Sequence, residues 1–310
     1  MVNGYNMEHK NNKIYEGTLV GDIIIHIIVA LMCFFALYPM YYVLVISLSD
    51  PIYASTLNVY AWPKSETGIF YLGAYERLVT DMTMWKAYVN TVIYTIAPTI
   101  LMLITCSMCA YPLTSPKLIG KKFVTIFLLI PMYFSGGLIP TFILMTKINL
   151  YNNMLAIIIP ASFSIWYIIL TRTFFMSLPE EMREAARIDG ANNYQCFLRI
   201  YLPNAKPILA VIAIYTLVAR WNSWFDALVY MPNASLQPLQ LYLRRVLVEG
   251  TVDLRATLTS ADMEAMVMLR LSNDQLKYAM IIFTTLPMIF AYPFLQRYFV
   301  KGVMVGSLKG

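Results

Sequence analysis

Long apolar stretches alternate with short polar segments along almost the whole chain. Six of these stretches are each long enough for a helix to cross a hydrocarbon core of about 30 Å, which takes roughly 20 apolar residues. They cover approximately residues 22–48, 87–112, 123–146, 151–176, 206–231 and 277–298. The pattern therefore predicts an all-α integral membrane protein with six transmembrane helices.

The composition supports a location in the bilayer. Hydrophobic residues make up 59% of the 310 residues and charged residues only 13%, with a mean hydropathy of +0.61. A soluble domain typically contains about 45–50% apolar residues. A chain with this much apolar surface is predicted to need membrane lipid around it.

Basic residues in the short loops predict the orientation. The loop at 114–122 contains three lysines and no acid, and the tail after Phe294 contains three basic residues and no acid. Both segments are predicted to face the cytoplasm, because cytoplasmic loops are enriched in Lys and Arg. Six spans then leave both termini inside, with a cytoplasmic N-terminal segment at 1–21, an external loop at about 232–276 and a tail at about 298–310. The pI near 9.0 is explained by these loops and does not indicate nucleic-acid binding.

A polar segment separates the fourth and fifth apolar stretches and reads EAARIDGANNYQCFLRIYLP at residues 184–203. Ser177 and Glu180 have the spacing of a capping box, which favours a helix over roughly 179–189. Gly190 is suited to the left-handed conformation that ends many helices. The loop charges place this segment in the cytoplasm as well.

A second short helix is predicted from Tyr194 to Tyr201, and Pro203 is expected to block its continuation. The result is a helix-turn-helix projection. Ala185 and Ala186 leave part of its surface nearly flat, so that another protein could approach closely. The charged residues expected to keep the first helix in water are Glu180, Glu181, Arg183, Glu184 and Arg187. A charged helical hairpin with no special role is the alternative interpretation of the charge pattern.

The ordered spacing in this segment resembles the cytoplasmic loop motif of ATP-binding-cassette importer permeases. The continuation Asp189-Gly190-Ala191 looks like the carbohydrate-uptake branch of that family, in particular the smaller membrane subunit of maltose-type sugar importers. The positions that carry the resemblance are Glu184, Ala185, Ala186, Asp189, Gly190, Ile200, Leu202 and Pro203. The resemblance implies a type I importer permease architecture, with a permease domain at 22–310 and a coupling loop at about 177–205.

The resemblance also implies roles for individual residues. Glu184 would be the anchor in a groove of the ATPase, Ala185 and Ala186 the surface of close approach, and Gly190 the turn. The C-terminal sequence QRYFVKGVMVGSLKG is similar to the tails of carbohydrate-importer permeases. In this resemblance Lys301, Gly302 and Ser307 help to couple the ATPase, whereas a disordered end is the alternative.

The partners implied by the resemblance are a second permease subunit, two ATP-binding-cassette ATPase subunits and an extracellular or periplasmic solute-binding protein, in a bacterial plasma membrane. ATP hydrolysis is not expected in this chain. The nearest approach to a phosphate-binding loop, Gly120-Lys121-Lys122, lacks the hydroxyl residue and the upstream glycine. ATP and magnesium are therefore expected in the ATPase subunits, with no cofactor in this chain, and transport is expected to proceed by alternating access.

The outer third of the fifth stretch contains ARWNSWFDALVY, the most polar and aromatic part of any predicted span. On a continuous helix Trp221, Trp224 and Phe225 would form an aromatic strip beside a polar strip of Asn222 and Asp226. Aromatic faces with amide and carboxylate groups suit sugar rings, which makes these residues a candidate substrate path. The alternative is an interfacial aromatic belt, with Asp226 and its neighbour Arg220 touching headgroups or loops.

The third stretch contains a dense cluster of helix breakers, Pro131, Gly136, Gly137 and Pro140. Irregular backbone at membrane depth is tolerated only against protein or a water-filled cavity. This span is therefore predicted to bend or to line a path.

Other functions are less well supported by the residues. An ion-coupled secondary transporter would need carboxylates or histidines at mid-depth, and only His26 is a weak candidate. No nucleophile, base and orienting group suggest a membrane enzyme, so no catalytic residue is predicted. With two histidines and four cysteines, a metal site is not expected either. Within the favoured class, a phosphorylated polyol or another small polar solute is the alternative cargo.

Overall fold

A computed structural model describes residues 19–56, 59, 61–65, 68, 70–249, 271–291 and 293. All regular elements in these ranges are helical. The N-terminal half contains α1 Leu19–Ser47, α2 Pro51–Thr56, α3 Gly73–Thr80, α4 Met82–Thr114, α5 Lys121–Tyr133, α6 Leu138–Lys147, α7 Leu155–Ala161 and α8 Ile165–Met176. The remainder contains α9 Glu180–Ile188, α10 Asn193–Cys196, a π-helix Phe197–Tyr201, α11 Leu202–Asn204, α12 Lys206–Trp221, α13 Phe225–Tyr230, a 3₁₀ turn Ala234–Leu236 and α14 Leu239–Glu249. Residues 271–291 are also helical and are called α15 here.

Three helical segments in the described part of the chain are long and apolar enough to cross a membrane: Val20–Ser47, Met82–Thr114 and Leu155–Met176. Two bent pairs, α5 with α6 and the 193–204 helices with α12, raise this number to five if each pair is one span. The predicted all-α class and the apolar spans are confirmed. The sixth predicted span, 277–298, is only partly described, so the number six stays a prediction.

The third predicted span is bent, as its helix breakers indicated. Helices α5 and α6 meet at an angle of 113°. The break lies at the glycines rather than at the prolines, since Pro131 is inside α5 and Pro140 falls in the first turn of α6. A proline near a helix start loses no hydrogen bond. Gly137, with φ of +84°, provides the backbone conformation that redirects the chain.

Helix α4 is the centre of the bundle and packs most extensively against α8 and α12. Met102 and Cys106 of α4 meet Ile168 of α8 and Ile212 of α12 in a buried cluster. Toward the N-terminal end of α4, Met84 packs with Leu239 of α14 and with residues of α3 and α15. In contrast, the apolar window of α1 is 0% buried in this chain.

The segment after α13 is fixed to the N-terminal half of α4 by side-chain hydrogen bonds. The Asn90 amide donates to the carbonyl oxygens of Ser235 (2.8 Å) and Gln237 (3.1 Å). Tyr94 donates to the Leu236 carbonyl at 2.8 Å, and Thr91 accepts from the Leu239 amide at 2.7 Å. The predicted external loop is therefore structured as far as α14, whereas the helix predicted to start near residue 260 lies outside the described residues.

Candidate coupling and translocation sites

The polar segment folds into two helical arms joined at Gly190, and residues 180–204 are called the polar hairpin here. The first arm, Glu180–Ile188, agrees with the predicted helix. Gly190 has φ of +81°, its N–H donates to Arg187 O at 3.1 Å, and the Ala191 N–H donates to Ala186 O at 2.9 Å. These two bonds form a Schellman motif, which satisfies the last carbonyls of the helix. The left-handed turn predicted at Gly190 is confirmed.

The capping box predicted at the start of the first arm is wrong. The residue before the helix is Pro179, no side chain caps the helix, and the Ser177 hydroxyl donates to Phe174 O at 2.7 Å. A capping box instead begins the second arm, between Asn192 and Gln195, with both bonds at 2.9 Å. The Asn-x-x-Gln spacing in the sequence would have revealed it.

Pro203 does not end the second arm, contrary to the prediction. The chain stays helical through Asn204, because a π-helix at Phe197–Tyr201 precedes the proline. In this segment the Leu202 N–H donates to Phe197 O, a bond five residues back. The wider π turn changes the hydrogen-bond register just before the residue that has no N–H to donate.

An open groove of about 360 Å³ lies between the two arms, and it brings together four of the eight loop residues predicted to couple the ATPase. It is lined by Ala186, Asp189, Gly190, Ala191, Gln195, Arg199 and Ile200. Glu184, Ala185 and Pro203 are exposed on the hairpin outside this lining, and Leu202 is half-buried. The hairpin thus presents a small-residue groove with one acid and one base at its rim.

Arg183 does not lie in water as predicted. It is only 8% exposed and pairs with Glu180, one turn earlier on the same helix. Its Nε is buried and has no hydrogen-bond partner in the described structure. Helical spacing alone could not show this, because nearly every position of the first arm is polar or small.

The predicted aromatic and polar strips do not form on one helix, since α12 ends at Trp221 and α13 begins at Phe225. Trp221 is buried, its indole N–H donates to the carbonyl of Thr284 at 3.2 Å, and its ring meets Tyr88 edge to face. It is held by these contacts and also lines the cleft described next. Asp226 pairs with Arg220 at 3.7 Å rather than standing in a strip with Asn222.

A cleft of about 270 Å³ nevertheless lies at this end of α12, between α12, α14 and α15, and is called the polar cleft here after four of its residues. Val218, Trp221 and Met288 form its apolar lining. Its polar lining comprises Asn222, Gln240, Thr284 and Thr285. The exposed Asn222 donates its side-chain N–H to Val218 O at 2.9 Å, so its amide oxygen is not used in this bond. Sequence reasoning missed Gln240 and the two threonines, because they come from helices distant in sequence.

A cation lies beside this cleft. Arg244 is four residues after Gln240 and so on the same face of α14. Its guanidinium lies over the Trp224 ring, 4.4 Å from the centroid, and Trp224 meets Phe225 edge to face at 5.7 Å. Stacking on an aromatic face leaves the guanidinium N–H groups available in the plane.

Other predicted site residues add little. Lys301, Gly302 and Ser307 lie outside the described residues. His26 is on α1, with Nδ1 2.6 Å from the carbonyl oxygen of Asp22. Within the described ranges no group of three or more His, Cys, Asp or Glu is placed to hold a metal ion.

Comparison with known proteins gives consistent results. Residues 105–305 match the family described as "Binding-protein-dependent transport system inner membrane component". Protein LplC of Bacillus subtilis (strain 168) is 32% identical over 88% of this chain and 89% of its own length. The polygalacturonan/rhamnogalacturonan transport system permease protein YtcP of the same organism is 31% identical over 78% of this chain and 82% of its own.

A solved structure is also similar along almost the full length. It is the crystal structure of a bacterial ABC transporter involved in the import of the acidic polysaccharide alginate, with a TM-score of 0.80 and 30% identity over 90% of this chain and 96% of the matched chain. The helical bundle described above is therefore the fold of a type I importer permease. From the family match over residues 105–305 and the similarity to LplC, the chain belongs to the binding-protein-dependent transport system inner membrane components, and its similarity to YtcP and to the alginate importer chain places it among the carbohydrate permeases of ATP-binding-cassette transporters.

Proposed function

We propose that this chain is one of two membrane subunits of an ATP-driven importer that receives an oligosaccharide from an external binding protein. The observation that carries the proposal is the similarity to the alginate importer chain, at a TM-score of 0.80 over nearly the full length. Two ATPase subunits would bind ATP and magnesium and would supply the energy. The chain itself would perform no chemistry on its cargo.

The groove of the polar hairpin is the proposed contact for an ATPase subunit. Its floor is built from Ala186, Gly190 and Ala191, which permit close approach, and its rim carries Asp189 and Arg199 for polar contacts. Glu184 is exposed on the first arm, outside the groove lining, and would anchor the contact. The tail residues Lys301, Gly302 and Ser307 remain part of the proposed coupling surface.

The hairpin is suited to act as a lever because it is packed onto the bundle. Tyr201 and Ala205 at the base of the second arm are buried against Ala110 of α4 and Phe175 of α8. A movement of the groove would therefore be transmitted to these helices instead of being lost in a loose loop. ATP binding and hydrolysis would then alternate the outward and inward states.

The polar cleft is the proposed point of contact with the sugar. Amide and hydroxyl groups of Asn222, Gln240 and Thr285 match the hydroxyl groups of a saccharide, while Trp221 and Met288 supply apolar walls. Trp224 and Phe225 of the predicted path are not among the lining residues. Ligand sites in general combine apolar walls with a few polar groups that fix orientation.

We further propose an acidic oligosaccharide as the cargo. Arg244 has no ion pair with another described residue, and a stacked guanidinium is suited to bind a carboxylate with two parallel hydrogen bonds. Two similar proteins are named for acidic polysaccharides, polygalacturonan and alginate. A phosphorylated polyol would use the same cation.

The test is uptake and ATPase activity in proteoliposomes that contain the two permeases, the ATPases and the binding protein. We expect import of oligogalacturonate that depends on ATP and on the binding protein. Arg244→Gln should lower uptake of the acidic sugar about tenfold, as expected for the loss of a charge-assisted hydrogen bond. It should leave a neutral oligosaccharide unaffected, and Arg244→Lys should retain part of the activity.

Two other results would contradict parts of this proposal. Transport by this chain alone, driven by an ion gradient without ATP, would refute the importer assignment. ATP-dependent import of neutral sugars only, with no effect of Arg244→Gln, would leave the importer in place and refute the acidic cargo.

A further inference from the structure

A third cavity, larger than the groove and the polar cleft, lies at the opposite end of the bundle from the polar cleft. It has a volume of about 760 Å³ and is enclosed by the last turns of α4, the loop after α4 and both arms of the polar hairpin. It is called the basic cleft here and is distinct from the groove between the arms. The 114–122 loop contributes to its wall, so the cleft is on the side predicted to face the cytoplasm.

The charge of the basic cleft is entirely positive. Lys117, Arg183 and Arg187 line it, and no carboxylate does. The Lys117 ammonium has no partner among the described residues, and Arg187 has only a long contact to Asn193 Oδ1 at 3.3 Å. Arg183 is paired with Glu180, but that carboxylate is largely exposed, at 64%, and is not part of the lining.

Arg183 is the most buried of the three cations in the lining. Its side chain is 90% buried, with 10% exposed, and its Nε–H has no acceptor in the described structure. A buried donor of a charged group that has no partner is costly, so such groups are normally satisfied by protein, water or ligand. An anion in the cleft would add negative charge beside this buried guanidinium, whose ion pair is with the exposed Glu180.

The remaining walls are largely apolar, with Thr114, Ser115 and Asn193 as polar members beside the cations. Leu118 and Phe197 are half-buried in the lining, while Met108 and Leu198 are 58% and 56% exposed. Met108 lies on the span-forming helix α4, so the cleft continues from the basic end onto an exposed apolar surface of that span. Inorganic phosphate would leave these walls uncovered, whereas an anionic lipid would fill both parts.

We propose that the basic cleft binds one anionic phospholipid of the cytoplasmic leaflet, with its phosphate held by Lys117, Arg183 and Arg187. Basic pockets between membrane helices on this side bind anionic headgroups in other proteins. The Arg183 guanidinium in the lining would attract the phosphate through its charge, and the acyl chains would lie against Met108 and Leu198. The lipid would join α4 to both arms of the hairpin and so stiffen the connection between them.

The experiment uses the assembled transporter, purified and exchanged into nanodiscs with either phosphatidylglycerol or phosphatidylcholine, with retained lipid measured by native mass spectrometry. The wild-type complex should retain phosphatidylglycerol. The double variant Lys117→Gln/Arg187→Gln, which removes two exposed cations, should bind it about thirtyfold more weakly. Lys147→Gln removes an exposed cation at the far end of α6 and should behave as the wild type.

A second arm separates lipid from free phosphate. Millimolar inorganic phosphate should not displace the retained lipid, and complete displacement would identify the cleft as a phosphate site and overturn the proposal. Equal retention of phosphatidylglycerol by the wild type and the double variant would overturn it too. That result is expected if an acidic segment of the ATPase, and not a lipid, fills the cleft. ATPase activity that rises with the phosphatidylglycerol fraction only in the wild type would support the stiffening role.

Discussion

Gly190 is the residue on which the shape of the polar hairpin depends. A Cβ added at this position would meet nothing within 4 Å, so the constraint comes from φ of +81° and not from crowding. A β-branched residue resists this conformation, whereas asparagine tolerates it. We therefore expect Gly190→Val to abolish cargo-stimulated ATPase activity and uptake in the reconstituted complex, while the basal folding of the bundle is retained.

The matched control for this prediction is Gly190→Asn. It adds a side chain of similar size in the same open space but should retain most of the coupling. If both variants lost coupling equally, the added volume at the ATPase contact would be the cause, and the backbone explanation would be wrong. Normal coupling in Gly190→Val would contradict the lever itself.

Asp81 combines two roles at the start of α4. One carboxylate oxygen accepts from the Thr83 N–H at 2.8 Å and caps the helix, while the other accepts from the Tyr242 hydroxyl at 2.5 Å and ties α4 to α14. Burial raises the pKa of Asp81, but the hydrogen bonds from Tyr242, Thr83 and Met84 outweigh it and hold this pKa below its ordinary value of 3.8. Burial and the bond to Asp81 raise the pKa of Tyr242.

The lowered pKa makes a pH-dependent prediction. The stabilisation from ionised Asp81 is fully present above pH 3.8 and is lost as the pH falls below that value through the lowered pKa. Asp81→Asn retains a capping side chain but loses the charge, so it should destabilise the complex by about 1 kcal/mol at neutral pH. Melting temperatures across the pH range check this: the gap between wild type and variant should shrink below pH 3.8, and a constant gap would contradict it.

Among the elements, the second arm of the hairpin connects the groove to the bundle through Tyr201. Its ring meets Phe175 of α8 at 5.3 Å and Tyr111 of α4 at 5.0 Å, both edge to face. Such pairs contribute about 0.5–1.5 kcal/mol each, so Tyr201→Ala should cost about 1–3 kcal/mol from these two contacts. We expect a lower melting temperature together with ATP hydrolysis that no longer depends on cargo.

The control for Tyr201 is Tyr201→Phe. The hydroxyl has no hydrogen-bond partner in the described part of the chain, so its removal should leave both stability and coupling at wild-type values. A Tyr201→Ala complex that is less stable but still tightly coupled would show that the ring contributes packing alone.

Sequence reasoning predicted the apolar spans well because their length and composition are local properties. It also located the bend of α5 and α6 and the turn at Gly190, where glycine has a local backbone reason. It failed where contacts with residues distant in sequence determine the local structure. The end of α12 at Trp221 coincides with a hydrogen bond to Thr284 on α15, and the burial of Arg183 depends on which face of α9 packs inward. The polar cleft, likewise, is assembled from three helices that are far apart in sequence.

At the scale of the whole molecule, one helix links the two proposed sites. Helix α12 starts at Lys206, directly after the polar hairpin, and ends at Trp221 in the wall of the polar cleft. Its 16 residues span about 24 Å. Because α12 also packs along α4, a shift of the hairpin would reach the cleft through a rigid element without any intervening loop.

This arrangement requires the hairpin and the polar cleft to face opposite sides of the membrane, which labelling in intact cells can test. In a cysteine-free background, Ser235→Cys in the exposed 3₁₀ turn should react with a membrane-impermeant maleimide added outside. Tyr194→Cys on the exposed second arm should react only after permeabilisation. Tags at the two termini then show whether the number of spans is even or odd. An even number such as six leaves both tags inside, whereas five would expose one of them. Labelling of Tyr194→Cys from outside would reverse the orientation and remove the ATPase contact, since no ATP-driven partner could reach the groove there.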